Sequence, residues 1–106
     1  MSKVKNFNEM VTPLCRCGNW LNHWLNVSQN LVRLCVAKGC TEHELVGSHI
    51  QKVDSSDTEI YILPLCKLHS ESKEEIEVYE NIPFVSADVR KTCGTNASTI
   101  VAEGEL

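Results

Sequence analysis

Two short-range pairs of metal-type side chains constrain this chain more than any other feature. Four residues, Val36-Ala37-Lys38-Gly39, separate Cys35 from Cys40, and two, Lys67-Leu68, separate Cys66 from His69. Paired Cys and His ligands at such spacings suit a tetrahedral zinc ion, with one pair on a loop and the other on a predicted first helical turn. Gly39 directly precedes Cys40 and permits the left-handed backbone that a tight loop around a metal requires. The chain also has a physical need for such a cross-link. In 106 residues it is 42% hydrophobic but only 6% aromatic, so its core is aliphatic and small, and domains short of buried area commonly add metal or disulfides. The alternative reading keeps Cys35, Cys40 and Cys66 as buried free thiols and His69 as an ordinary surface histidine.

The six cysteines admit disulfide frameworks as well, but those require an oxidising compartment. The first thirty residues show no apolar run behind a basic start of the kind that directs secretion. No segment approaches the roughly 20 apolar residues of a membrane span. The expectation is therefore a cytoplasmic protein, away from membranes, whose cysteines serve as metal thiolates.

Cys15, Cys17, His23 and Cys93 are also four in number. A second zinc held by them would tie the two ends of a small chain together. The competing reading makes the three cysteines small buried hydrophobes and places His23 beside Trp20. His43 lies among acidic neighbours and is assigned no role.

Residues 1–12 mix Lys, Asn and Glu with scattered apolar residues and lead into Pro13. They read as a loosely ordered N-terminal segment, ahead of a single domain over residues 13–106. Trp20 and Trp24, with Leu21 and Leu25 beside them, have the spacing of a short helix with one apolar face over residues 19–27. Residues 31–36 read as a short strand or the approach to a turn. A β-hairpin follows, with strands over residues 44–53 and 59–63 around a polar loop. Leu68, Ser72, Ile76 and Tyr79 fall at helical spacing and predict a helix from residue 65 to about residue 80, ended by Ile82-Pro83. One further strand is expected over residues 84–89. The class is α+β, with short flanking helix and strands around a zinc-stabilised centre.

Ten Lys and Arg stand against fourteen Asp and Glu, for a net charge of −4. That balance disfavours a generic electrostatic DNA binder, which needs a cationic surface to displace counterions. Arg16, Arg33, Lys38, Lys52, Lys67 and Lys73 leave room for a local basic face. The run Glu71, Glu74, Glu75 and Glu77 reads as a solvated helix face or as a surface for a basic protein.

Gly47-Ser48-His49-Ile50, a polar loop, and the run Ile60-Tyr61-Ile62-Leu63-Pro64-Leu65-Cys66 entering a helix resemble the ββα-metal finger of HNH endonucleases and their treble-clef relatives. The likeness covers roughly residues 35–79. It implies a treble-clef fold with structural zinc on Cys35, Cys40, Cys66 and His69. It also implies that His49 is the general base on a water attacking phosphate, with Mg²⁺ or Mn²⁺ as the catalytic ion. Three supporting positions depart from that family's pattern. Ser48 stands where the family has Asp, Ser70 where it often has His or Asn, and Tyr61 where it has the Asn that orients the hairpin loop. Serine hydroxyls are weak ligands for hard cations. The expected function is accordingly a non-catalytic zinc-binding module that recognises a protein or nucleic-acid partner, with His49 a structural residue that packs against the zinc helix or hydrogen-bonds the hairpin turn. The alternative is a metal-dependent endonuclease that uses His49.

Overall fold

The computed structural model describes residues 2–7, 19–53 and 55–88. Five strands form one antiparallel sheet, β1 (Ser2–Asn6), β2 (Leu45–Lys52), β3 (Tyr61–Cys66), β4 (Ile76–Val78) and β5 (Val85–Ser86), in the order β4-β1-β2-β3-β5. Two helices accompany it, α1 (Trp20–Ser28) and the four-residue α2 (Lys67–Ser70). The class is α+β, as the sequence pattern indicates.

The hairpin β2–β3 is the centre of the sheet. Its register pairs Leu45 with Cys66 and His49 with Ile62, so residues alternate between two faces. Ser48, Ile50, Leu63 and Leu65 lie on one face. There Ile50, Leu63 and Leu65 pack with Val4, Ile76 and Val78 and with the Cys35–Ala37 segment in the larger hydrophobic cluster. Gly47, His49 and Ile62 lie on the other, beneath α1. Trp24, Ile62, Val85 and Ala87 make the second cluster, and Trp24 is wholly buried. Its indole Nε1 donates to the Pro83 carbonyl at 2.9 Å, as a buried Trp N–H requires a partner.

Helix α1 matches the tryptophan spacing. Asn19 caps its start, accepting from the Asn22 N–H at 2.8 Å, and Gln29 closes it in the left-handed conformation at φ 57°. Gly47 sets how close α1 comes to the sheet. A Cβ there would lie 2.3 Å from the Trp20 carbonyl carbon and 2.4 Å from the Leu21 nitrogen. The helix backbone thus occupies the space that any side chain at position 47 would fill.

Two expectations are corrected. The segment read as a loosely ordered lead-in contains β1, which pairs with both β2 and β4 and buries Val4 completely. Alternation within Ser2–Asn6 carries that signal, but one apolar residue in five is too few to stand out in sequence. The helix expected over residues 65–80 ends at Ser70. Ile76 and Val78 are buried around an exposed Glu77, a period of two that belongs to a strand. Leu68, assigned to the apolar face of the long helix, is 77% exposed. Asn6 provides a direct reason for the early stop, because its Nδ2 donates at 2.8 Å to the carbonyls of both His69 and Ser72. A continuing helix would have given the His69 carbonyl to the Lys73 N–H.

Among the described residues, no helix is long and apolar enough to cross a membrane.

Candidate metal centre

Cys35, Cys40, Cys66 and His69 converge, and their ligand atoms all lie within 4.8 Å of one another. The first pair comes from the loop before β2. Its backbone is held by Cys35 N–H to the Glu42 carbonyl at 2.8 Å, Val36 N–H to the Pro64 carbonyl at 3.2 Å and Cys40 N–H to the Ala37 carbonyl at 3.0 Å. Gly39 takes φ 80° at the turn, the conformation for which a glycine before Cys40 is suited. Ala37 bridges Val78, and the Tyr79 hydroxyl accepts from the Gly39 N–H at 3.1 Å, so β4 braces the loop from outside. The second pair comes from the β3–α2 junction. Cys66 is the last residue of β3 and the N-cap of α2, its sulfur accepting from the His69 N–H at 3.5 Å. The three-residue step then brings the His69 ring back over the same sulfur.

The distances fit one small tetrahedral ion. Zn–S bonds of about 2.3 Å and Zn–N bonds of about 2.0–2.1 Å put neighbouring ligands in a tetrahedron roughly 3.5–3.8 Å apart. Cys40 Sγ is 3.9 Å from Cys66 Sγ, Cys35 Sγ is 3.6 Å from His69 Nδ1, and Cys66 Sγ is 3.2 Å from the same nitrogen. None of the three cysteines forms a disulfide. Burial pushes the Cys35 thiol up to about 12, opposed by the backbone N–H groups of Cys66 and Ala37 and reinforced by the neighbouring sulfurs of Cys40 and Cys66. A thiolate there is unfavourable until a cation joins it, as expected for a donor set arranged around a dication. The group can therefore hold a metal ion, and three sulfurs with one imidazole favour a soft or borderline metal over Mg²⁺ or Ca²⁺.

Of the second proposed ligand set, Cys15, Cys17 and Cys93 lie outside the described residues. His23 is described and fully buried in α1. Its Nε2 is 2.9 Å from the Ser86 carbonyl. A carbonyl only accepts, so Nε2 carries the proton in this contact.

His49 lies on the α1 face of β2. Its ring meets Trp20 edge-on, with centroids 4.8 Å apart, and Trp20 meets His23 in the same way at 4.9 Å. Burial lowers the pKa of both histidines, and the charge of His23 lowers that of His49 further. A small open cavity of about 230 Å³ runs past His49, lined also by Asn6, Ser48 and Ser70. Among the described residues, no carboxylate lines it. Among the described residues, the buried Asn6 Oδ1 and Ser48 Oγ have no hydrogen-bond partner.

Tyr61 braces the hairpin loop. Its hydroxyl donates to Asp57 Oδ2 at 2.5 Å, and Lys52 Nζ sits 3.5 Å from the same carboxylate oxygen and 5.0 Å from the Tyr61 ring centroid. Hydrogen bonding from Tyr61 holds Asp57 below the usual carboxylate range, and Asp57 in turn pushes the phenol up to about 12.

Asn6 is the functional neighbour that the sequence reading missed. A lone Asn in a polar stretch carries no local signal, since its partners His69 and Ser72 are remote in the chain. No family model, curated protein or solved structure matches this chain.

Proposed function

We propose that this chain is a zinc-binding module of HNH-like, treble-clef type, in which zinc on Cys35, Cys40, Cys66 and His69 stabilises a scaffold for recognising a partner. The convergence of those four donors carries the reading. Their division between a knuckle before a β-hairpin and the first turn of the helix after it supports the treble-clef assignment. Bound zinc would supply cross-linking free energy in place of a larger apolar core, on the order of 10 kcal/mol for a structural site.

A binding role is favoured over phosphodiester cleavage by the surroundings of His49. The imidazole packs against Trp20, and the adjoining cavity offers Ser48 and Ser70 hydroxyls where a catalytic Mg²⁺ or Mn²⁺ would need harder, charged ligands. A protein partner is favoured over nucleic acid, because a groove of about 730 Å³ beside His69 is lined by Glu71, Glu74, Glu75 and Glu77 against a single lysine, Lys38. Phosphates would be repelled there.

Incubation of zinc-loaded protein with supercoiled plasmid and Mg²⁺ or Mn²⁺ tests this choice. The plasmid is expected to remain intact. Nicking that disappears in His49→Ala, in a variant that keeps its zinc, would establish the endonuclease reading instead.

A further inference from the structure

The three sulfurs of the centre are not equivalent. Cys35 and Cys66 are only 2% and 3% exposed, whereas Cys40 is half-buried at the end of an exposed turn. Cys40 borders an open, mainly apolar groove of about 330 Å³ that includes Val32, Leu34, Tyr79 and Ile82. Hydrogen bonding separates the sulfurs as well. The Cys66 sulfur accepts from the His69 N–H at 3.5 Å. The Cys40 sulfur lies 3.9 Å from that of Cys66. An N–H donor draws charge from a thiolate and blunts its nucleophilicity, and burial keeps a peroxide away, so the accessible Cys40 sulfur is the most reactive of the set.

We propose that Cys40 is the oxidation site of this centre: a peroxide oxidises its thiolate first, and Cys66 then captures it in a disulfide that dismantles the site. The proposal rests on the zinc-binding reading above. In the first step the Cys40 sulfur attacks one peroxide oxygen, an S–O bond forms, the O–O bond breaks and hydroxide leaves. The sulfur loses two electrons to the peroxide and becomes a sulfenic acid. In the second step the Cys66 thiolate, 3.9 Å away, attacks that sulfur, an S–S bond forms and a second hydroxide departs. Two thiolates and one peroxide thus give one disulfide and two hydroxides. The sulfurs must close to about 2.05 Å. The movement falls on the knuckle, where Gly39 already holds φ 80°, while Cys66 stays in register on β3. Any bound ion loses two of its four donors, and reduction restores them.

The test begins with elemental analysis of the untreated protein. It then adds hydrogen peroxide with dimedone as a sulfenic-acid trap and a chromogenic zinc chelator as the release readout, followed by peptide mapping. The expected result is dimedone on Cys40 ahead of Cys35 and Cys66, a Cys40–Cys66 disulfide when dimedone is omitted, and zinc release reversed by dithiothreitol and added zinc. Cys40→His keeps four donors and is expected to release zinc about tenfold more slowly under peroxide, having lost the exposed thiolate. First capture on Cys35 or Cys66, a disulfide that leaves Cys40 out, or unchanged release from Cys40→His would overturn the proposal. Protein that takes up no zinc before peroxide is added would overturn the zinc-binding reading, and with it this one.

Discussion

The side-chain amide of Asn6 donates to the carbonyl oxygen of His69 at 2.8 Å, joining residues 63 apart in sequence. The same nitrogen donates to the Ser72 carbonyl. One residue of β1 thereby closes the C-terminal end of the helix that carries the candidate metal ligand His69. Asn6→Ala removes both bonds and leaves two partly buried carbonyls without that donor. A loss of about 1–3 kcal/mol in unfolding free energy is expected, together with faster zinc loss to a competing chelator. Denaturant titration and chelator kinetics on the two proteins check this. Unchanged zinc retention would show that β1 does not support the site.

Gly47→Ala tests the approach of α1 to the sheet. A methyl group at position 47 has no room, because the atoms it meets are Trp20 and Leu21 backbone and not the end of a movable side chain. The helix must shift, at a cost of about 1–3 kcal/mol or more. A lower melting temperature is expected, with altered Trp20 fluorescence as the indole moves from His23 and His49. A stable variant with unaltered fluorescence would contradict the close packing.

Burial lowers the pKa of His49 from an ordinary 6.5, so the unfolded chain takes up this proton at higher pH than the folded one. Stability contributed by the neutral imidazole is complete above about pH 6.5 and declines as pH falls from there toward the lowered folded value. Protonation of the candidate metal ligands would also weaken a zinc-bound fold in acid, but that effect is shared by His49→Gln. With zinc saturating, the variant's stability is expected to fall less steeply with decreasing pH than that of the parent. Parallel curves from thermal melts across this range would show that His49 does not titrate differently on folding.

The convergence of Cys35, Cys40, Cys66 and His69 was legible in the sequence because its information is local. Each ligand pair sits within a few residues, and Gly39 marks the turn between Cys35 and Cys40. The hairpin and α1 were legible for the same reason, through alternation in one and the Trp20–Trp24 step in the other. The long helix expected over residues 65–80 failed because Leu68, Ser72, Ile76 and Tyr79 match a helical period while Ile76 and Val78 match a strand one. The decision between them lies in tertiary partners. Val4 pairs with Ile76, and Asn6 occupies the carbonyls at the helix end. Neither residue advertises that role, and both belong to the segment read as a loosely ordered lead-in. The placement of His49 against Trp20 is likewise invisible in the chain order, since it depends on α1 lying over Gly47.

The most direct test compares zinc per chain, by elemental mass spectrometry, in the parent protein and in Cys66→Ser, both purified without chelator, alongside their melting temperatures. Cys66 links the two ligand pairs, lying 3.9 Å from Cys40 Sγ and 3.2 Å from His69 Nδ1. The expected result is one zinc equivalent fewer in the variant, with a much lower melting temperature or no cooperative transition. Equal zinc content with an unaltered melting temperature would contradict a structural metal centre at Cys35, Cys40, Cys66 and His69.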